Sequence, residues 1–101
     1  WMECSLINKL ACVFTSTSTQ HGGQETTIIT SIITLLHHGM VIIGIPYSEQ
    51  RLMQMEEIGG GSPYGASSVS GPMASRAPTK NDLEIAKTQG KRLAGIAGKL
   101  K

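Results

Sequence analysis

The run from Met40 to Tyr47 most limits the folds open to this chain, because it is almost continuously apolar: Met-Val-Ile-Ile-Gly-Ile-Pro-Tyr. A strand without polar alternation is typical of a parallel sheet that is covered on both faces. Pro46 lies near its end, where a missing N–H does not interrupt the ladder. The stretch from Lys9 to Thr15, a shorter apolar run with a polar residue at each end, predicts a second buried strand.

A helix is predicted between the two strands, from Gln24 to His38. Apolar residues recur there in two adjacent stripes at helical spacing: Ile28, Ile32 and Leu35, then Ile29, Ile33 and Leu36. The β-branched content lowers helix propensity and leaves a strand as the alternative, but the length of the segment favours a helix. His37 and His38 would cap the last turn, and Gly39 supplies a residue able to end it.

A loop and a second helix are predicted after the second strand. The segment from Ser48 to Pro78 begins polar and continues rich in serine, glycine and proline, which predicts a loop. Thr79-Lys-Asn-Asp82 resembles a capping box with a shorter acid. The residues that recur at helical spacing beyond it are expected to pack on the sheet: Leu83, Ala86, Gly90, Leu93, Ala97 and Leu100.

These elements predict an α/β fold in which the helix from Gln24 to His38 is the crossover between parallel strands. Two parallel strands alone form a poor core, so each is expected to have neighbours on both sides. The chain has 101 residues and opens at Trp1 with Met2 after it. We therefore expect the sequence to be the back half of an α/β unit whose upstream part is missing.

Composition narrows the functional classes. Hydrophobic residues make up 40% of the chain and charged residues 16%, which fits a core-forming segment rather than a disordered one. A net charge of +2 and 4% aromatic residues give no basis for nucleic-acid binding. Cys4 and Cys12 are too few for a disulfide scaffold or a zinc site, which favours a reduced, cytoplasmic protein. The apolar runs are far shorter than the roughly 20 residues of a membrane helix.

Two loops follow the carboxyl ends of the predicted strands, where open parallel sheets bind ligands: residues 15–23 and 47–66. The first is the better candidate, because its small residues lead into a helix N-terminus. Its N–H groups could hold a phosphate, a carboxylate or the polar edge of a flavin, although most such loops are only connections. His37 and His38 point in different directions on a helix, so helix caps are favoured there over a metal site.

Several motifs occur in a fixed order along the whole chain: Phe14–Glu25 (FTSTSTQHGGQE), His37–Met40 (HHGM), Gly60–Ala66 (GGSPYGA), Ser75-Arg76, Ala86 and Gln89-Gly90. This set resembles the C-terminal half of the WrbA family, also called tryptophan-repressor-binding proteins. The resemblance implies a flavodoxin-like three-layer sandwich with parallel strand order 2-1-3-4-5. Residues 1–101 would then be the C-terminal half of a single domain, with about strands four and five and the last two helices. The phosphate-binding loop would lie in the absent N-terminal half.

The resemblance also implies a function, that of an FMN-dependent two-electron NAD(P)H:quinone oxidoreductase. Members are typically homotetramers with active sites at subunit contacts, and neither a metal, nor nucleic acid, nor membrane insertion is implied. The residues carried over as cofactor-binding are Ser16, Thr17, Ser18, Thr19, Gln20, His21 and His37. His37 is also expected to line the acceptor site as its catalytic residue, hydrogen-bonding a quinone oxygen. Trp1 is expected on the pocket wall, against the substrate.

The loop and His37 are together expected to form one wall of a flavin cradle. Ser18 stands where many members of the family have glycine. The loop can keep the family's conformation only if the backbone at this position does not need a positive φ. Other readings stay open: a flavodoxin-type electron carrier, an accessory protein that contacts a regulator, or an inactive fragment that cannot hold FMN alone.

Overall fold

The computed structural model describes residues 3–100. Its main elements are β1 (Leu10–Ala11), β2 (Thr15–Thr17), α1 (Gln24–His37), β3 (Val41–Ile42), β4 (Ser67–Val69) and α2 (Lys80–Lys99). Short 3₁₀ segments at Gln50–Met53 and Pro72–Ala74 lie on either side of β4 in the chain. The predicted class, α/β with parallel strands and two helices, is confirmed.

The strands pair in parallel, β1 with β3 and β2 with β4. β1 and β2 belong to one extended stretch, residues 10–17, whose odd-numbered residues bond to both partners. Ala11 O accepts from Ile43 N at 2.9 Å, and Ala66 O accepts from Thr15 N at 3.1 Å. Backbone groups of alternate residues point to opposite sides of a strand, so β3 and β4 lie on the same side of this stretch. The predicted strand from Lys9 to Thr15 is present, but its ladder is interrupted between β1 and β2.

The predicted strand from Met40 to Tyr47 pairs as a strand only at Val41–Ile42. The extended course continues, because Ile43 N donates to Ala11 O and Ile45 N donates to Pro63 O, both at 2.9 Å. Residues 46–62 then leave the sheet, and we call this segment the detour. The expected full-length strand is therefore shortened by the path that the chain takes after Ile45.

β4 corrects the prediction of an uninterrupted loop up to Pro78. Ser67–Val69 returns to the sheet directly after a turn in which Ser62 N and Gly65 O bond at 3.1 Å. Gly65 is required in this turn, because a Cβ there would lie 2.1 Å from the Val13 carbonyl oxygen. The strand forms through pairing with residues about fifty positions earlier, which a local reading of a serine- and glycine-rich stretch does not detect.

The buried core is small and lies between the strands and the two helices. Its apolar residues are Ile28, Ile43, Ile45, Ala66, Val69 and Ile85. α1 ends as the sequence predicted, with His37 and His38 at its last turn and Gly39 following at a φ of 79°. No described helix has the length and apolar character needed to cross a membrane.

α2 begins with the predicted capping box: Thr79 Oγ1 accepts from Asp82 N at 3.0 Å, and Asp82 Oδ2 accepts from Thr79 N at 3.0 Å. The face predicted to pack on the sheet is wrong. The buried residues are Asp82, Ile85 and Gln89, whereas Leu83 is 51% exposed. The predicted stripe also leaves Ala86, Gly90 and Leu100 exposed. The hydropathy pattern did not reveal the packed side, because two of its three buried residues are polar.

Candidate functional site

The hydroxyl-rich loop connects the carboxyl end of β2 to the amino end of α1. β2 ends at Thr17, residues 18–23 turn, and α1 begins at Gln24. Gly23 precedes the helix with a φ of 102°, a left-handed conformation that favours glycine. The loop therefore occupies the place where open parallel sheets hold ligands, beyond a strand's carboxyl end and beside a helix N-terminus.

Side chains at the end of β2 fix the shape of the loop. Ser68 Oγ donates to Ser16 Oγ at 2.9 Å across the strand pair, and Thr17 Oγ1 donates to the Thr19 carbonyl at 2.7 Å. The backbone N–H groups of residues 18–21, in contrast, have no hydrogen-bond partner within the described part of the chain. Several unused N–H donors at one helix end fit an anionic ligand or a strongly polar ring edge.

Serine at position 18 is compatible with this backbone. The described residues other than glycine that have a positive φ are Cys4, Asn8, Met73 and Ala74. Ser18 is not among them, so the loop does not need glycine there. The departure from the family pattern carries no backbone strain in this chain.

Two open grooves meet at Gln20. One, of about 320 Å³, lies against the start of α1 and is lined by Gln20, His21 and residues 23–26. The other, of about 460 Å³, lies between Gln20 and residues 51–61 of the detour. The second groove brings together parts of the two loops that the sequence offered as ligand sites. Because the two grooves share Gln20, one extended ligand could contact both loops.

Two side chains to which the sequence assigned no part in a ligand site hold the detour against this groove. Arg76 donates to two carbonyl oxygens, that of Val69 at 2.9 Å and that of Ile58 at 2.8 Å. Asp82 Oδ1 accepts from Gly60 N at 2.9 Å while its other oxygen caps α2. The sequence predicted Asp82 only as a cap and gave Arg76 no role. Both side chains position the groove wall rather than face a ligand.

Gln89 fills the gap between the two strand pairs. Gln89 is only 2% exposed. Its Oε1 accepts a hydrogen bond from Ala66 N at 2.8 Å, and its Nε2 donates one to the Val13 carbonyl at 2.9 Å. One buried amide thus replaces a missing rung of the sheet directly before β2 and its loop. Hydropathy gave no signal for this role, because two of the three buried residues of α2 are polar.

The detour is tied to α2 at its base by Glu49. Thr88 Oγ1 donates to the Glu49 carboxylate, and Arg51 donates to the same carboxylate through its backbone N–H at 3.1 Å. The hydrogen bond from Thr88, helped by Arg51, lowers the pKa of Glu49 below its ordinary value of 4.5. The guanidinium of Arg51 lies 3.4 Å from the carboxylate but is about half exposed, so this ion pair contributes little.

His37 does not lie beside the loop, so the expected wall of loop and His37 is not formed within one chain. The loop precedes the first residue of α1, and His37 is its last residue. A helix rises 1.5 Å per residue, so the ends of this helix are about 20 Å apart. A single flavin ring system cannot contact both. Trp1, the residue expected on the substrate wall, lies outside the described residues.

An apolar groove of about 360 Å³ opens between β2 and α2. Its lining residues include Phe14, Ala66, Pro78, Leu83 and Ala86. Phe14 is 77% exposed, an unusual environment for a phenyl ring next to a strand. Within residues 3–100 no three histidine, cysteine or acidic side chains come together as a metal site.

Fold and loop together define an α/β protein with a polar loop at the carboxyl end of a parallel strand. Comparison with family models finds no match. Curated relatives named NAD(P)H dehydrogenase (quinone) are similar over nearly the whole chain. The one from Aromatoleum aromaticum is 56% identical over 100 residues, 99% of this chain and 48% of the relative. That from Methanosarcina barkeri is 53% identical over 100 residues, again 99% of this chain and 48% of the relative.

A third relative, from Geotalea daltonii, is 57% identical over 100 residues and carries the same name. The chain spans about half the length of the curated relatives it matches. Identity exceeds one half over nearly the whole chain in each of these three comparisons. It is consistent with the predicted resemblance to a C-terminal WrbA-like half.

Proposed function

We propose that the chain is the C-terminal half of an FMN-dependent NAD(P)H:quinone oxidoreductase. The observation that carries the proposal is its similarity to relatives named NAD(P)H dehydrogenase (quinone), which extends over 99% of the chain. The loop geometry supports it, because unused N–H donors stand at the carboxyl end of β2 where a polar ring edge can bind. We also infer a cytoplasmic location and a homotetramer for the whole protein.

When bound, FMN would supply the redox chemistry between NAD(P)H and a quinone. The chain's own part is to bind and orient that ring. Residues 18–21 would donate N–H hydrogen bonds to its polar edge, and donors at that edge favour the more negative, reduced form. Ser16 and Thr17 would act by bracing the loop, since their hydroxyls are already engaged within the chain.

His37 is proposed to serve the site from a neighbouring copy. In its own chain it lies at the far end of α1 from the loop. If sites form at subunit contacts, the imidazole of one copy could line the acceptor side of the next and hydrogen-bond a quinone oxygen. Trp1 is proposed, as before, on the substrate side of the pocket.

The test is a chimera in which this chain replaces the matching half of the Aromatoleum aromaticum relative. Stoichiometric FMN, measured by absorbance, and NADH-dependent reduction of benzoquinone are the expected results. His37→Ala should lower quinone reduction more than FMN content, with Gln50→Ala, on an exposed part of the detour, as the matched control. A chimera that folds but binds no FMN would overturn the proposal.

Two further measurements separate the alternatives. A stable semiquinone during reductive titration, without benzoquinone turnover, would identify an electron carrier instead. A flavin absorbance scan of the 101-residue chain alone is expected to show no stoichiometric FMN, because the phosphate loop is proposed to lie in the other half.

A further inference from the structure

A continuous series of hydrogen bonds joins the hydroxyl-rich loop to the opposite wall of the groove at Gln20. The carbonyl oxygen of Thr17, at the end of β2, accepts from Ser70 N at 2.8 Å. The carbonyl oxygen of Ser70 accepts from Arg76 N at 2.7 Å. Arg76 then reaches the detour, where its Nη2 donates to the Ile58 carbonyl at 2.8 Å. The spacing between the two walls of this groove therefore depends on the side chain of Arg76.

The guanidinium of Arg76 is held in one orientation by the strand beside it. Its Nη1 donates to the Val69 carbonyl at 2.9 Å, and its Nη2 is thereby directed at the detour. Two nitrogens of a planar guanidinium hold two acceptors at a set separation, whereas lysine has a single ammonium nitrogen. Arg76 is also half-buried, so its position is not that of a mobile surface charge. The side chain is therefore a rigid brace between β4 and the detour.

The groove of about 460 Å³ between the loop and the detour is lined largely by polar residues: Gln20, Arg51, Gln54, Glu56 and Glu57. Glu56 and Glu57 form no ion pair with another described residue. An ionised carboxylate only accepts hydrogen bonds, so it favours a ligand that carries donors. A quinone has only carbonyl acceptors and gains nothing from such a wall. The lining is suited to a ligand with hydroxyl and amino groups.

We propose that this groove binds the adenosine part of NAD(P)H, and that Arg76 is the positioning residue that sets its width. The inference rests on the proposed function. Ribose hydroxyls and the adenine amino group are donors that match the carboxylates of Glu56 and Glu57. The half-exposed guanidinium of Arg51, on the same wall, suits the pyrophosphate. Because the groove shares Gln20 with the loop, the other end of the dinucleotide can extend toward the loop.

The experiment uses the chimera with the Aromatoleum aromaticum relative and compares Arg76→Gln with the unsubstituted chimera. The KM for NADH should rise about tenfold, the worth of one hydrogen bond to a charged group, because the detour is no longer braced. The kcat, the KM for benzoquinone and the FMN content should not change. Arg76→Lys keeps the charge but not the fork, and should raise the KM for NADH only about threefold.

A second measurement needs no turnover. Isothermal titration calorimetry of the flavin-free chimera with ADP-ribose, which lacks the nicotinamide, should show binding that Arg76→Gln weakens about tenfold. Arg92→Gln is the matched control, because Arg92 Nη1 also donates to a carbonyl, that of Gly44 at 2.7 Å, but does not line the groove. Exchange of the buried Ala66 amide hydrogen should be equal in all variants, which separates a loss of binding from a loss of stability.

Several results would overturn the inference. These are an unchanged KM for NADH in Arg76→Gln, an equal rise in the KM for NADH and for benzoquinone, or equal effects of Arg76→Gln and Arg92→Gln. Absence of ADP-ribose binding to the flavin-free chimera would also overturn it. If Arg76→Gln does not fold, Arg76→Lys decides, and unchanged ADP-ribose affinity in that variant defeats the inference. If the chimera binds ADP-ribose as expected but takes up no FMN, the groove assignment stands and the proposed function fails.

Discussion

Replacing Gln89 by leucine should destabilise the strand junction that leads into the ligand loop. Leucine has a similar volume but can neither donate nor accept. The buried Ala66 N–H would lose its partner, at a cost of about 1–3 kcal/mol. The half-buried Val13 carbonyl would add about 1 kcal/mol, since water can reach it only in part. The greater apolarity of leucine would offset about 1 kcal/mol. We expect a net loss of about 2 kcal/mol in the free energy of unfolding.

Urea unfolding followed by circular dichroism measures this loss, and exchange of the Ala66 amide hydrogen locates it. For a chain of this size the expected loss corresponds to a fall of roughly 8–16 °C in Tm. Gln50→Leu is the matched control, because Gln50 is exposed and its side chain has no hydrogen bond within the described residues. The reasoning would be refuted by a Gln89→Leu variant within about 0.5 kcal/mol of wild type, the scatter of ordinary surface changes.

Three other substitutions test separate features of the fold. Thr79→Ala removes the α2 cap and should cost about 1 kcal/mol in urea unfolding, so an unchanged midpoint would contradict the capping role. Thr88→Val removes the hydrogen bond that lowers the pKa of Glu49. In the wild type this hydrogen bond stabilises the fold fully at pH values above 4.5, and the stabilisation is lost as the pH falls through the pKa of Glu49 in the folded state. The variant should therefore lose less stability than the wild type on acidification. The same dependence of the unfolding free energy on pH in both proteins would argue against the hydrogen bond. Gly65→Ala places a methyl group against the Val13 carbonyl and should cost about 3 kcal/mol or more, measured by urea unfolding.

Local signals predicted the two helices well. α1 was detectable because Ile28 and its neighbours recur at helical spacing and because Gly39 marks the stop. α2 was detectable from the reciprocal bonds of Thr79 and Asp82, which depend on residues three apart. Both sets of signals lie within a single turn or a single helix face, so no knowledge of the rest of the fold was needed.

The strands and the packed face of α2 depend on contacts distant in sequence. Ser67–Val69 is a strand because it meets Thr15–Thr17, and nothing in its own composition indicates this. Gln89 is buried because Val13 and Ala66 need its amide, whereas a hydropathy pattern assigns a glutamine to the solvent side. The predicted orientation of α2 was wrong because polar residues that bond to backbone groups lie on its buried side.

The candidate site was predicted in part. The two loops offered from sequence do meet, at Gln20, because both follow strands whose carboxyl ends lie at one edge of the sheet. The separation of His37 from the loop was implicit in the predicted helix between them, because its length fixes the distance between its ends. The family pattern assigned both to one pocket without saying whether one chain or two supplies them.

The detour between β3 and β4 has a consequence for how this protein can vary. It starts and finishes at neighbouring points, where Ile45 N donates to Pro63 O, so the two strand segments stay in place whatever its contour. Lengthening a flexible connection closed in this way costs only about 0.6 kcal/mol for each doubling. Evolution could therefore remodel the groove wall opposite Gln20, and with it the range of molecules admitted, while leaving the sheet beneath unchanged.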